Sequence, residues 1–124
     1  MLSYNAEHKY YHHSYWANHK DYRVYSIIGD GESQEGQIWE AAMFASNYGL
    51  DNLCAIVDCN GLQIDGNVAY SNSADSLAEK FASFGFEVIT IDAHDYDQIL
   101  SALDQAEATR GKPTVIIAKS IKGK

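Results

Sequence analysis

The sequence predicts an α/β protein: a parallel sheet of about four strands flanked by helices. Three observations carry this. Four short apolar runs, at Val24–Ile28, Leu53–Val57, Phe86–Ile91 and Thr114–Ala118, are separated by three segments whose apolar residues recur at helical spacing. The last run is continuously apolar after Thr114, as strands buried on both faces are. Turn residues stand at the run exits, as in Gly29-Asp30-Gly31, Asp58-Cys59-Asn60-Gly61 and Asp92-Ala93-His94-Asp95. At 124 residues the chain has the size of one domain, long enough for a real core.

Taken in order, residues 1–19 stand apart from the rest. MLSYNAEHKYYHHSYWANH is rich in Tyr and His and shows no clean period. His8 and His12 are spaced for one helix face with His13 adjacent, which leaves a metal site or a loosely packed arm as readings. From residue 20 to 124 the alternation is regular and reads as one domain. The first run leads through Gly29-Asp30-Gly31 into a helix over about 35–48. Ile38, Ala41, Ala42 and Ala45 share one face of it, and Gly49 is placed to close it. Trp39, Met43 and Phe44 fall off that face, so one sheet cannot cover the helix, and a partner is expected against the other side. The second run is followed by a polar loop over 61–73. Ser73 or Asp75 then caps a helix with Leu77, Phe81 and Phe84 on one face, closed by Gly85. After the third run, Asp95 with Gln98 has the pattern of a capping box. It opens a helix expected to bury Ile99, Leu100, Leu103 and Ala106 and to end at Gly111. Pro113 introduces the last run.

The first two runs and the helix between them form a βαβ unit. Consecutive parallel strands point the same way, so Asp30 and Asn60 are expected on one edge of the sheet, where open α/β sheets bind ligands. No Lys or Arg occurs between Arg23 and Lys80, and the charged residues of 29–66 are all acidic. A phosphate bound there would rely on backbone N–H groups and a divalent metal. The Asp30 carboxylate and the Asn60 amide oxygen are hard ligands suited to Mg²⁺ or Ca²⁺. The bland alternatives are a turn or N-cap aspartate and a turn amide in Asn60-Gly61. No Lys follows the glycines, which excludes a P-loop, and the third glycine of the dinucleotide fingerprint is absent. The net charge of −8 argues against nucleic acid or an anionic membrane as partner. No run is long enough to span a bilayer and no signal-peptide pattern is present, so the expected location is cytoplasmic. Cys54 and Cys59, five apart on or just past one strand, are expected on opposite faces as buried thiols without a disulfide.

Gly29-Asp30-Gly31, a helix, a strand and then Asn60 resemble the thiamine diphosphate-binding motif. The surrounding GDGESQEGQIWEAAMFASNYGLDNLCAIVDCNGLQIDG, with FGFEVITIDAHDYDQILSALDQA and GKPTVIIAKSIKGK, resembles transketolase, especially the N-terminal subunit of split bacterial transketolases. The resemblance covers about 20–124; the E1 dehydrogenase and deoxyxylulose phosphate synthase types match less well around the motif. It implies the diphosphate-binding module of a thiamine diphosphate fold. It also implies ketol transfer between sugar phosphates when a pyrimidine-module chain, a second copy, or both complete the enzyme. Asp30, Asn60 and the backbone carbonyl of Leu62 would hold the metal. Gly29 and Gly31 would lie against the diphosphate, with Gly31 offering its N–H, and Ile64 would pack on the thiazolium ring.

By the same resemblance Glu35 and Glu40 would lie at the subunit interface on a proton path between cofactor sites. The alternatives are a first-turn glutamate favoured by the helix dipole, typically worth about 0.3–1 kcal/mol, and a solvated helix residue. His94 stands where the family has a similar Asp-Gly-His-Asp and reads as structural, with no catalytic assignment. His8, His12, His13 and His19 match none of the family's upstream histidines. The glutamate that activates the cofactor belongs to the pyrimidine module. A non-catalytic remnant that keeps the fold is therefore the competing reading.

Overall fold

The computed structural model describes residues 22–63, 66–67 and 73–124. The Tyr/His-rich stretch 1–19, with its four histidines, and Ile64 lie outside the described residues. In chain order the elements are β1 (Val24–Gly29), a 3₁₀ turn (Glu32–Gln34), α1 (Gly36–Asn47), β2 (Leu53–Cys59), β3 (Leu62–Gln63), β4 (Gly66–Asn67), α2 (Ala74–Ser83), β5 (Glu87–Asp92), α3 (Tyr96–Ala108) and β6 (Thr114–Lys119). Four strands form one parallel sheet in the order β1-β2-β6-β5, while β3 and β4 pair antiparallel in the segment that the sequence offered as a plain loop.

The strand order decides where the helices go. The steps β1 to β2 and β2 to β5 move in one direction across the sheet, so right-handed crossovers place α1 and α2 on the same face. The step from β5 back to β6 reverses direction and puts α3 on the other face. The pleat sorts the core accordingly. Leu53, Ala55, Val57, Val115 and Ile117 pack with Ile38, Ala42, Ala45, Leu77 and Phe81. Cys54, Ile91, Ile116 and Ala118 pack with Ala102 and Ala106 on the opposite side. Cys54 and Cys59 are free and buried in different core clusters, as expected. Burial pushes the Cys54 thiol up to about 11 and, with Asp30 and Asp58 adding to it, the Cys59 thiol up to about 12. Both are therefore poor nucleophiles at neutral pH.

Two expectations about helix faces are corrected. Trp39 needs no partner chain to cover it. Its ring lies 5.0 Å from Phe81 and 5.7 Å from Phe84, Lys80 sits over it, and its indole N–H donates to Ser33 O at 2.9 Å. The neighbouring helix supplies what the sheet cannot; Met43 on α1 and Tyr48 at its C-cap remain exposed. Leu100 is 59% exposed rather than buried, and Ala102 takes its place in the core. The reason is where α3 sits. Gln98 and Gln105 on one flank bond Asp92 and Glu87 of β5. That turns Leu100, on the opposite flank, away from β5 and off the packed face. The same position leaves Ile27 of β1 76% exposed.

The helix starts and the turns after α1 and α2 follow the sequence, whereas α3 ends at Ala108 with Thr109 as its C-cap, short of the expected Gly111. Ser73 caps α2 by accepting from Ser76 N–H at 3.3 Å. Asp95 caps α3, accepting from the N–H groups of Asp97 and Gln98. Gln98 returns only part of the capping box: its Nε2 donates to Asp95 Oδ2, while its Oε1 accepts from Asp92 N–H instead of the cap's own. Gly85 has φ +93°, and a Cβ built on it would stand 2.7 Å from Ser46 Oγ on α1. Gly85→Ala is expected to cost about 1–3 kcal/mol, the usual scale of such backbone strain. Thermal unfolding checks this. Adding Ser46→Ala should recover only the steric share, and a Gly85→Ala protein as stable as the parent would refute the strain.

Candidate functional site

The carboxyl edge of the sheet brings together the exits of β1, β2 and β6. Asp30 N–H donates to Asp58 O at 3.1 Å, which extends the ladder one residue past β1 and carries Asp30 against the end of β2. Its side chain is almost fully enclosed, at 2% exposure. Oδ1 accepts from Gly31 N–H at 2.8 Å and Oδ2 from Gly61 N–H at 2.9 Å. The second bond brings the Asp30 carboxylate to the Asn60–Gly61 turn, so the two strand exits meet as expected. Gly61 sits at φ +73°, a left-handed conformation that suits glycine. The turn after β1 is closed by side chains: Glu32 Oε2 accepts from Gly29 N–H at 2.8 Å, and Ser33 Oγ donates to Asp30 O at 2.6 Å. Gly31 itself is right-handed helical, with φ −65°.

Asn60 is half-buried, and its Nδ2 donates to Asp58 Oδ2 at 3.2 Å. Leu62, two residues on, opens β3. Asp30 and Asp58 place two carboxylates at this edge, beside Asn60. Carboxylate and amide oxygens together fit a hard divalent cation. Among the described residues no group of three or more His, Cys, Asp or Glu converges as a ready-made cage. A cation here would therefore draw on amide and main-chain oxygens as well as on Asp30.

The other expected site residues lie away from this pair. Glu35 is the N-cap residue of α1, exposed and extended, makes no side-chain cap bond, and accepts from Gln37 Nε2. It thus stands just before the first turn rather than in it. Glu40 is exposed on α1 and shares a shallow groove with Met43, Phe44 and Tyr48. His94 Nε2 accepts from Ile121 N–H at 2.9 Å and its own N–H donates to Asp92 Oδ1 at 2.8 Å, which ties the chain leaving β6 to the β5 exit. Two residues that sequence reasoning passed over join the site. Asp58 receives Asn60 on one oxygen and the hydroxyl of Ser120 on the other. A signal for Asp58 was present, because residues two apart at a strand end point to the same side.

Residues 4–124 match the family model described as transketolase, thiamine diphosphate binding domain; the match begins within the Tyr/His-rich stretch. The chain is 50% identical over 107 residues to a 6-deoxy-6-sulfo-D-fructose transketolase subunit of Clostridium sp. (strain MSTE9), covering 86% of this chain and 39% of the relative. It is 38% identical over 104 residues to an apulose-4-phosphate transketolase subunit of Phocaeicola vulgatus, covering 84% and 37%. Among solved structures, the transketolase of Campylobacter jejuni superposes with a TM-score of 0.73 at 40% identity, covering 80% of this chain and 15% of that one. The chain thus spans about two-fifths of the length of the two bacterial relatives and a much smaller share of the Campylobacter enzyme. Among the described residues no helix is long and apolar enough to cross a membrane.

Proposed function

The chain belongs to the transketolase family through its thiamine diphosphate-binding domain, and we propose that it is the diphosphate-holding module of a ketol-transferring enzyme completed by partner chains. The contact between Asp30 Oδ2 and Gly61 N–H supports this most directly, because it puts the Asp30 carboxylate beside Asn60 at the carboxyl edge of a parallel sheet. Asp30, Asn60 and the Leu62 carbonyl would supply oxygens to Mg²⁺ or Ca²⁺, whose charge offsets that of a diphosphate in a segment without side-chain cations. The Gly29–Gly31 turn would lie against the diphosphate, and Ile64 would pack on the ring. Thiamine diphosphate, when bound, supplies a thiazolium carbon that attacks a ketose and a ring that takes up the electrons of the broken carbon–carbon bond. This chain's share is to hold and orient that group.

A pyrimidine-module chain, a second copy of this chain, or both would cover the exposed side of α1, where Glu35 and Glu40 would join a proton path between sites. The substrates would be ketose and aldose phosphates or related anionic sugars, since relatives act on a sulfofructose and on apulose 4-phosphate by name.

Calorimetric titration of thiamine diphosphate with and without Mg²⁺ tests the reading. Binding should require Mg²⁺. Asp30→Ala should weaken it by ~100-fold or more, since even the outer partners of a metal typically carry about 10–100-fold. Binding that ignores Mg²⁺ or survives Asp30→Ala overturns the metal bridge. The opposing reading is a non-catalytic remnant. Two main-chain N–H bonds already give the Asp30 carboxylate a structural task. On that reading Asp30→Ala lowers stability only, and no Mg²⁺-dependent binding is seen.

A further inference from the structure

Asparagine is an awkward metal ligand because its amide has two ends of similar shape and opposite chemistry. Only the oxygen can bind a cation; the NH₂ can only donate. A site that uses Asn60 must therefore fix which end faces the metal. The exit of β2 contains a group suited to that task. Asp58 is half-buried, and Asn60 Nδ2 donates to its Oδ2 at 3.2 Å. Carboxylate oxygens accept and do not donate, so this contact holds the NH₂ end toward Asp58 and leaves the oxygen as the end of the amide that Asp58 does not take. Asp58 is itself held: its Oδ1 accepts the hydroxyl of Ser120 at the exit of β6. The main chain fixes both partners, with Ser120 N–H donating to Cys59 O at 3.1 Å and Asp58 O accepting from Asp30 N–H at 3.1 Å.

We propose that Asp58, anchored by Ser120, is a positioning residue that locks the Asn60 amide with its oxygen aimed at the cation of the diphosphate site. This rests on the reading of Asn60 as a metal ligand given above. The three side chains come from two adjacent strand exits, so the lock also ties the metal ligand of β2 to the chain leaving β6. Hydrogen-bonded partners behind a metal ligand typically carry about 10–100-fold in metal affinity.

Nuclear magnetic resonance of the metal-free chain reads the lock itself. The Asn60 side-chain NH₂ should exchange slowly with water in the parent protein. In Asp58→Asn it should exchange faster and shift, and in Ser120→Ala it should change in the same direction by less. Calorimetry with Mg²⁺ and thiamine diphosphate reads the consequence. Asp58→Asn should raise the Mg²⁺ concentration needed for half-maximal binding by about 10–100-fold. The double variant Asp58→Asn with Asn60→Asp should return it to within a few-fold of the parent. In that pair the amide donates from position 58, and the carboxylate at 60 presents an oxygen at either end. A purely structural role of Asp58 would not be rescued by the exchange, and thermal unfolding of each variant monitors the fold. An Asn60 NH₂ signal unchanged by Asp58→Asn overturns the lock, whatever the chain binds. A lock that is present while the parent chain shows no Mg²⁺-dependent binding overturns the proposed function and, with it, the aim assigned to the lock. A double variant as weak as Asp58→Asn overturns the positioning role alone.

Discussion

Purified free of host transketolase, the chain on its own is expected to transfer no ketol units between sugar phosphates, and to gain activity when a pyrimidine-module chain is added. By the resemblance, the glutamate that activates the cofactor belongs to that second module, whereas residues 4–124 match the thiamine diphosphate binding domain. General acid–base help of this kind is typically worth 10²–10⁴-fold, enough to drop turnover into the background of a coupled assay. On the proposed function the partner would bind the outer side of α1 and the turn that follows it, where Met43 is 51% and Tyr48 41% exposed beside Glu40. Activity should therefore rise and saturate with partner concentration. Turnover by the isolated chain would refute the division of labour between modules.

Replacing Phe81 by Ala is expected to be the most destabilising single change in the core. Phe81 is 2% exposed and joins α1, α2 and the sheet beneath them. Its ring lies 5.0 Å from Trp39 of α1 and 5.2 Å from Phe86 at the entry to β5, and it belongs to the cluster with Val57 and Val115 in the sheet below. A buried Phe→Ala change typically costs about 3–5 kcal/mol. That is a large part of the 5–15 kcal/mol that a domain usually has. At roughly 4 °C per kcal/mol, between the values usual for 60–100-residue and 150–250-residue domains, the midpoint should fall by about 10 °C or more, as followed by far-ultraviolet circular dichroism. A midpoint within about 3 °C of the parent would mean that the cavity collapses and that Trp39 needs no support from α2.

Phe81 also marks the boundary of what the sequence makes legible. The four strands and three helices can be read from periodicity and turn residues, because each depends on local spacing. Strand order cannot. A right-handed crossover can land on the next position or skip one, and nothing near residue 60 says that β2 leaves a place for β6. Trp39 shows the result. From α1 alone it needs a partner, because the covering side chains come from α2, some forty residues later. Leu100 misleads for a similar reason: it has the spacing of a core residue, but the bonds of Gln98 and Gln105 to β5 set the rotation of α3. At the site, Asp30 and Asn60 are legible because parallel strands in a βαβ unit share an exit edge. Ser120 is not, since its contact with Asp58 spans 62 positions and exists only once β6 lies beside β2.

The same strand order has a consequence for how the chain is made. β6 is the last strand of the sheet to be synthesised, yet it lies between β2 and β5. A ribosome can release β1, α1 and β2 as a paired unit, but β5 emerges with no neighbour to join. The sheet stays in two pieces until Lys119 leaves the exit tunnel. At a typical 5–20 residues per second, the 60 residues from Asn60 to Lys119 take roughly 3–12 s. For that interval β2 presents a seven-residue edge, nearly all apolar, with unpaired N–H and C=O groups, which is a template for pairing with other nascent chains. Translation that pauses between Asn60 and Lys119 is therefore expected to prolong the most adhesive form of this protein.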